Sequence, residues 1–230
     1  QTKLLIRTQA KKDPGFPFLS ILIETLFDQL THFQPTDPSQ TITPEDLLEI
    51  VYTSGTTGNP KGVMLTQGNI ATNVRDILKI VPVDPTYHLL SVLPLSHSLE
   101  QTAGFWSPYA GGGSVLYLRI LKPSALFEVF QREKITTMVL VPRLLSLLKQ
   151  RIEREISEKH LQWYLNFGLK IGKKMPISLR KAYFYPIHKR INPQFNIFVS
   201  GGAALDPAVE KFWRNIGFEL VQGYGLTETS

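Results

Sequence analysis

Short apolar runs alternate with longer amphipathic stretches from about residue 87 to the end of the chain. Most of the intervening stretches place their apolar side chains at the spacing of a helix, whereas the runs have the length of strands. The runs predict five strands, at 89–93, 114–118, 136–141, 196–200 and 218–222. Strands that alternate with helices indicate an α/β fold, with a largely parallel sheet flanked by helices.

One predicted helix carries its own start and stop signals. Asp206 is a residue type that caps free backbone N–H groups, and Pro207 suits the first helical position. Gly217 is placed to end the helix. Its apolar residues form one buried face, consisting of Val209, Phe212, Trp213 and Ile216.

The first fifty residues follow no such pattern. An apolar stretch at 18–30 lies among turn-forming residues, which are Pro14, Gly15, Pro17, Pro35 and Pro38. We interpret residues 1–50 as the tail of a preceding lobe and residues 51–230 as part of the principal domain.

Composition and charge narrow the class of protein. The chain has 230 residues, of which 43% are hydrophobic and 19% charged, values typical of a globular protein. A net charge of +6 favours anionic partners but does not choose between nucleotides, phospholipids and nucleic acid. The absence of cysteine excludes thiol nucleophiles, disulfides and zinc–thiolate sites. No leader and no run of about 18 apolar residues is visible, so the expected location is the cytoplasm.

Residues 54–62 have the composition of a phosphate-binding loop. They contain three glycines, three hydroxyl side chains and one lysine, between a predicted strand at 47–53 and a short apolar run at 63–65. Glycines allow close approach of the backbone to an anion, and the other groups supply donors and charge. In the common P-loop, Ser or Thr follows Gly-Lys, whereas here Pro60 precedes Lys61 and a glycine follows it. This order disfavours a kinase or GTPase, and an ordinary turn remains open as an alternative.

The order of residues in this loop adds a more specific signal. Residues 52–64, YTSGTTGNPKGVM, resemble the signature loop of adenylate-forming enzymes: acyl-CoA synthetases, peptide-synthetase adenylation domains and luciferases. Three further segments resemble motifs of the same family, at 92–97 (VLPLSH), 200–205 (SGGAAL) and 222–228 (QGYGLTE). The four segments keep the family's order and span residues 45–230. The resemblance implies the layered α/β/α N-terminal domain of these enzymes, to which residues 51–230 would belong.

The resemblance also implies a reaction and a nucleotide site. Family members let a carboxylate attack the α-phosphate of ATP in the presence of Mg²⁺, and a thiol, here CoA, captures the acyl-adenylate. The residues that would hold the β- and γ-phosphates are Thr53, Ser54, Gly55, Thr56, Thr57, Gly58 and Lys61. The residues that would bind the AMP portion are Gly201, Gly202, Ala203, Gln222, Gly223, Tyr224, Gly225 and Thr227.

The motif positions further imply catalytic, metal and acyl-pocket residues. Lys61, Thr227 and Glu228 would be catalytic, with Glu228 and Thr53 near Mg²⁺, a hard cation that prefers oxygen ligands. His97 and Ser98 would border the acyl pocket. Without the motif, Tyr224 could fill a gap beside the sheet and Glu228 could be a solvated loop carboxylate. We interpret His97 as lining the pocket and not as a reacting group.

Within the family, the chain most resembles the long-chain fatty acyl-CoA synthetases. The similarity rests on residues 94–97 with Glu100, on residues 141–143 before a predicted long helix, and on the extended segment before 198–202. Some members of this branch have an aromatic gate after the pocket histidine. Residues 98–101 contain no aromatic side chain, so a gate is absent or comes from elsewhere, such as Trp106. The preferred chain length stays open.

Positive charge is concentrated in residues 159–190, which contain eight Lys or Arg and no Asp or Glu. Six aromatic residues are interleaved with these charges: Trp163, Tyr164, Phe167, Tyr183, Phe184 and Tyr185. Such a mixture could contact an anionic membrane at the cytoplasmic face, beside a poorly soluble acyl substrate. A pair of amphipathic helices that pack their aromatics inward is the favoured alternative. No nucleic-acid motif accompanies the patch, so we expect no nucleic acid partner.

The chain begins at Gln1 and ends at Ser230 within a Gly- and Thr-rich segment, which predicts a piece of a longer protein. Family members continue through a ribose-binding aspartate and a mobile C-terminal domain with a substrate-contacting lysine. We therefore expect little turnover from these residues alone. Two other functions remain open: a non-catalytic nucleotide- or lipid-binding module, and an enzyme that activates a different carboxylic acid. Intact Lys61, Thr227 and Glu228 favour a catalytic function over a binding module.

Overall fold

The computed structural model describes residues 4–7, 19–22, 25, 41–53, 59–118 and 123–229. The chain divides into two compact units, residues 1–42 and 43–230. In the first unit, β1 (Leu4–Arg7) and β2 (Leu19–Leu22) pair in parallel. Most of the apolar stretch at 18–30 lies outside the described residues, and the assignment of residues 1–50 to a preceding lobe stays a prediction.

The second unit begins with an antiparallel hairpin. It consists of β3 (Leu47–Thr53) and β4 (Lys61–Thr66), so the strand predicted at 47–53 is confirmed and the apolar run at 63–65 lies in β4. The register pairs Thr53 with Lys61 at the open end of the hairpin. Residues 54–58 of the predicted phosphate loop lie outside the described residues.

The main sheet has five strands, all parallel, in the order β6-β5-β7-β8-β9. The strands are β5 (His88–Ser91), β6 (Ser114–Tyr117), β7 (Thr137–Leu140), β8 (Ile197–Ser200) and β9 (Glu219–Gln222). Each coincides with a predicted strand to within two residues at either end. All residues of β7 and β8 are buried, as expected for a parallel sheet covered on both faces. The predicted α/β fold with a largely parallel sheet is therefore confirmed.

Eight helices in the described residues surround the hairpin and the sheet. They are α1 (Gln67–Ile80), α2 (Ser107–Gly111), α3 (Pro123–Arg132), α4 (Pro142–Glu158), α5 (Gln162–Gly172), α6 (Ile177–Tyr183), α7 (Tyr185–Ile191) and α8 (Pro207–Asn215). A π-helical turn, Glu100–Trp106, runs directly into α2, and a 3₁₀ turn spans Thr227–Thr229. No helix in this part of the chain is long and apolar enough to cross a membrane.

The predicted signals around α8 are confirmed. The Asp206 carboxylate accepts a hydrogen bond from the backbone N–H of Ala208 at 2.7 Å, and Gly217 has a φ of +97° just beyond the helix. The interval 159–190 differs from the expected pair of helices, because it holds α5, α6 and most of α7. Pro176 and Pro186 each stand at a helix start and divide the interval, since proline cannot donate the backbone hydrogen bond of a helix interior.

Apolar side chains cover both faces of the sheet. Neighbouring residues alternate between the two faces, so Phe198 packs in one core cluster and Val199 in the other. Trp213 of α8 is fully buried on the Phe198 face, with its ring 4.8 Å from that of Phe198. Its indole N–H donates to the carbonyl of Leu145 in α4 at 3.3 Å. This packing connects α8 and α4 to the face of the sheet that carries Phe198.

Candidate active site

A cleft of about 780 Å³ lies beyond the carboxyl ends of β5, β8 and β9. The chain crosses from one side of β5 to the other between β6 and β7, and parallel sheets bind ligands beyond their carboxyl edge at such a switch. The residues that line the cleft are Thr53, Lys61, Asn73, Ile77, His97, Ser98, Leu99, Thr102, Ala103, Gly202, Gly223, Tyr224, Gly225, Leu226, Thr227 and Glu228.

The cleft brings together ten of the residues predicted from the sequence. They come from the hairpin and from the loops after β5, β8 and β9, and they are Thr53, Lys61, His97, Ser98, Gly202, Gly223, Tyr224, Gly225, Thr227 and Glu228. Five more, Ser54 to Gly58, lie outside the described residues. Segments separated by up to about 175 positions therefore meet at one edge of the sheet.

Three predicted AMP-binding residues are not among those that line the cleft. Gly201 is buried, and a Cβ atom there would lie 2.9 Å from Cδ2 of Leu99, so the glycine allows the loop after β5 to pack closely. The Gln222 amide donates to the Glu210 carboxylate on α8 at 2.8 Å. Ala203 is exposed in the turn after β8. The nucleotide-binding roles of these three residues stay predictions.

The hairpin supplies a cation and a hydroxyl to the cleft. Thr53 and Lys61 are paired across β3 and β4, and directly opposed residues of an antiparallel pair project to the same face. Lys61 is exposed, so its ammonium group is accessible to a ligand. A lysine beside hydroxyl and backbone donors suits the binding of phosphate groups.

The 3₁₀ turn supplies a carboxylate. Thr227 Oγ1 lies 3.4 Å from Ser98 Oγ, and the Asn73 amide donates to the carbonyl of Thr229, also at 3.4 Å. These contacts join the turn to the loop after β5 and to α1. Glu228, between the two anchored residues, is exposed and lines the cleft. The turn therefore presents its carboxylate from a position fixed on both sides.

Tyr224 follows β9 and is 94% exposed. The alternative in which this side chain fills a gap beside the sheet is therefore wrong. An exposed aromatic ring at the mouth of a cleft offers a flat face on which a nucleobase can stack.

The wall between the loop after β5 and α2 contains a buried acid. Glu100 is completely buried and accepts a hydrogen bond from Ser91 Oγ at 2.5 Å. Burial raises the pKa of Glu100 to about 7, although the hydrogen bond from Ser91 opposes the shift. The carboxyl group lies behind residues of the same turn that line the cleft.

The sequence of the chain matches a known family over almost its full length. A family model described as AMP-binding enzyme matches residues 5–230. The chain belongs to the AMP-binding enzyme family. The predicted resemblance to adenylate-forming enzymes is thereby confirmed.

Two relatives and one solved structure illustrate the similarity. Long chain acyl-CoA synthetase 1 of Arabidopsis thaliana is 33% identical, over 86% of this chain and 33% of its own length. Fatty acyl-CoA synthetase A of Dictyostelium discoideum is 34% identical, over 80% of this chain and 29% of its own length. The structure of o-succinylbenzoate coenzyme A synthetase from Bacillus subtilis, in complex with ATP and magnesium ion, has a TM-score of 0.67 at 20% identity, over 100% of this chain and 41% of its own.

These matches differ in what they establish. The chain spans about a third of the length of the curated relatives that it matches. The likeness to the solved structure concerns the fold. Long-chain acyl-CoA synthetases are among the relatives of this chain.

The residues in the cleft fit Mg²⁺ bound together with a nucleotide. The part of the chain that the structure describes contains no group of three or more His, Cys, Asp or Glu side chains that could hold a metal alone. Mg²⁺ is commonly bound by one or two carboxylates together with substrate phosphates and water. Glu228 and Thr53 offer one carboxylate and one hydroxyl in the same cleft, which is the oxygen set that such a site needs.

Several residues of the cleft do not belong to any of the four motifs: Asn73, Ile77, Leu99, Thr102 and Ala103. Of these residues, Asn73 could have been identified from the sequence. Helix α1 buries Ile70 and Val74, and Ile77 is half-buried, so these residues form a stripe at i, i+4 and i+7. Asn73, at i+3, is a polar interruption of that stripe. Such an interruption indicates a side chain with a polar partner, here the carbonyl of Thr229.

Proposed function

We propose that this chain carries the adenylation site of an acid–thiol ligase that activates a long-chain fatty acid with ATP and transfers the acyl group to CoA. The observation that carries the proposal is the meeting of Lys61 and Thr53 from the hairpin with Thr227 and Glu228 from the 3₁₀ turn in one cleft. Family membership and the names of the relatives support the reaction class.

The geometry suits attack of a carboxylate on the α-phosphate. A carboxylate oxygen forms a bond to the α-phosphorus, the bond to the β-phosphate oxygen breaks, and pyrophosphate leaves with the negative charge. Lys61 would compensate charge on the departing phosphates, and Thr227 would orient the α-phosphate. Glu228 and Thr53 would hold Mg²⁺, which supplies further neutralisation of phosphate charge when bound.

The wall beside His97 supports an apolar acid as the substrate. Three side chains of the cleft are apolar and lie near this loop: Ile77, Leu99 and Ala103. The cation and the carboxylate enter from the hairpin and the 3₁₀ turn instead. We assign these apolar side chains to the acid, and Lys61 and Glu228 to the nucleotide and its metal. The identity of the acid as a long-chain fatty acid rests on the relatives.

The proposal is tested by ATP–pyrophosphate exchange with acids from acetate to palmitate, on the protein encoded by the full-length gene. We expect exchange only in the presence of an acid, with the highest kcat/KM for long-chain acids. Highest activity with an aromatic or amino acid would replace the substrate but keep the reaction. Binding of Mg-ATP without exchange for any acid would overturn the reaction and support the non-catalytic module.

We also propose that residues 159–190 contact an anionic membrane, and that the protein lies in the cytoplasm. The aromatic side chains of this segment divide into two groups. Phe184 is buried, and Tyr164 stacks on Tyr183 with ring centroids 4.7 Å apart. By contrast, Trp163 is 67% exposed and Phe167 is 55% exposed, one turn apart on α5. These two exposed rings belong to a segment with eight Lys or Arg and no Asp or Glu, and this combination favours contact with an anionic bilayer surface.

The membrane proposal predicts that liposome binding rises with the fraction of anionic lipid and falls with added salt, because the attraction is electrostatic and screened. Sedimentation with phosphatidylcholine vesicles, with and without phosphatidylglycerol, measures both effects. The double variant Trp163→Ala/Phe167→Ala should bind several-fold more weakly. Tyr109→Ala, which removes a 75% exposed ring outside the segment, is the matched control. Binding that ignores lipid charge and salt would count against the proposal.

A further inference from the structure

The π-helical turn contains a carboxyl group with an unusual environment. Glu100 is completely buried, with Oε1 bound to the hydroxyl of Ser91 at the end of β5. Its second oxygen, Oε2, is also buried, and none of the residues that the structure describes donates a hydrogen bond to it. Burial of a carboxyl group with one oxygen unpaired is costly. An apolar residue at this position would avoid that cost, which indicates that the carboxyl group has a function.

The carboxyl group of Glu100 occupies the space beside Gly104, one turn further along, where any other residue would carry a Cβ atom. A Cβ atom at position 104 would overlap Oε1 and Cδ of Glu100. The glycine thus provides the space that Glu100 occupies inside the turn. The turn is closed at its other end by Ser107, whose hydroxyl donates to the carbonyl of Thr102 at 2.7 Å. π-helical turns are rare in proteins, but those that occur are often found at functional sites.

This turn forms one wall of the cleft. Thr102 and Ala103 belong to it, and Leu99 immediately precedes Glu100. The carboxyl group lies on the side of the turn that faces Ser91, at the end of β5, which is paired with β6 and β7. The hydrogen bond to Ser91 therefore ties this wall of the cleft to the sheet.

The surroundings of Glu100 favour its neutral form. Among the described residues, the titratable groups that interact with it are Tyr87, next to the start of β5, and Tyr117, at the end of β6. Burial raises the pKa of Tyr87 to about 12 and also raises that of Tyr117, so both phenols are neutral at physiological pH. Burial raises the pKa of Glu100 to about 7, and no cation among the described residues contributes to that shift.

We propose that Glu100 is a positioning residue, which in its neutral form fixes Leu99, Thr102 and Ala103 against the acyl part of the substrate. The inference rests on the proposed function, because it assigns that wall to the carboxylic acid and not to ATP. Ionisation of Glu100 places a charge in the buried turn and loosens the wall. The wild-type KM for the acid should therefore rise as the pH increases through about 7.

The kinetic test compares Glu100→Gln and Glu100→Ala with wild type in the full-length protein, with palmitate as the acid. Glu100→Ala should raise the KM for palmitate about tenfold or more and leave the KM for ATP within about twofold, since small displacements of a substrate-positioning wall have large effects. Glu100→Gln keeps the size and the acceptor for Ser91 but cannot ionise. It should match wild type at pH 6 and abolish the rise of the KM for palmitate above pH 7.

The fit between Glu100 and Gly104 provides a second variant pair. Gly104→Ala should raise the KM for palmitate because its methyl group displaces the carboxyl group. In Glu100→Ala/Gly104→Ala the carboxyl group is absent, so the methyl group at position 104 displaces nothing. The KM for palmitate of the double variant should therefore rise by less than the product of the increases in the two single variants. Three results would overturn the inference: an unchanged KM for palmitate in Glu100→Ala, an equal rise in the KM for ATP, or a wild-type pH profile in Glu100→Gln.

Hydrogen exchange separates this inference from the proposed function. Peptides that span 97–106 should lose protection in wild type as the pH rises above 7, after correction for the intrinsic exchange rate, and should not do so in Glu100→Gln. If wild type shows no pyrophosphate exchange with any acid, the proposed function fails. Hydrogen exchange of the peptides that span 97–106 still tests whether Glu100 positions this wall of the cleft. Equal protection in wild type and Glu100→Gln across the pH range would overturn its positioning role.

Discussion

Replacement of Glu228 by glutamine is expected to lower kcat/KM for ATP–pyrophosphate exchange by about 100-fold or more, which corresponds to about 3 kcal/mol of transition-state stabilisation. Among the described residues that line the cleft, Glu228 is the only acid. Glutamine has the same shape and retains one oxygen acceptor, but it lacks the charge that a hard divalent cation prefers. The substitution should therefore impair the metal-dependent step and leave the stability of the fold unchanged.

The measurement is the initial exchange rate over a range of Mg²⁺ concentrations. The concentration that gives half-maximal activity should increase in Glu228→Gln, while the free energy of unfolding changes little because the side chain is exposed. Glu219→Gln is the matched control, since Glu219 is also exposed but begins β9 at the opposite edge of the sheet. Equal losses in the two variants, or wild-type activity in Glu228→Gln, would refute the metal role.

Wild-type protein is expected to lose about 3 kcal/mol of its free energy of unfolding, relative to Glu100→Gln, as the pH rises from below 4.5 to above 7. The pKa of Glu100 is 4.5 in the ordinary exposed state and about 7 in the folded protein. Between these values the folded state holds a proton that the unfolded state has released. The stabilisation is complete below pH 4.5 and is lost as the pH rises through about 7.

Urea denaturation at several pH values between 5 and 8 measures this loss. The comparison with Glu100→Gln removes the contributions of other groups, some of which have the opposite sign. Burial lowers the pKa of His188 below 6.5, so that residue favours the folded state more as the pH rises. Parallel stability curves for wild type and Glu100→Gln would mean that Glu100 does not titrate between its two pKa values.

The location of the site could be predicted because its chemistry lies in short contiguous segments. The apolar runs predicted all five strands of the main sheet, and the motifs at 200–205 and 222–228 directly follow two of them. Parallel strands present their carboxyl ends at one edge, so motifs that follow two such strands lie at that edge, as Gly202 and Glu228 do. The hairpin residue Lys61 was placed by its motif, and its register opposite Thr53 required the structure.

The alternation of apolar and polar residues is a local property, and it determined the α/β class and the strands of the main sheet. The capping residues of α8 and the four motifs that identified the family are also local features of the sequence. Contacts between distant residues depend on how the elements pack, and only the tertiary structure decided these. It set the strand order, turned Gln222 towards Glu210, brought Asn73 to Thr229 and divided the aromatics of 159–190 into buried and exposed groups. It also buried Glu100, whose neighbours in the sequence give no sign of the low-polarity environment that raises its pKa.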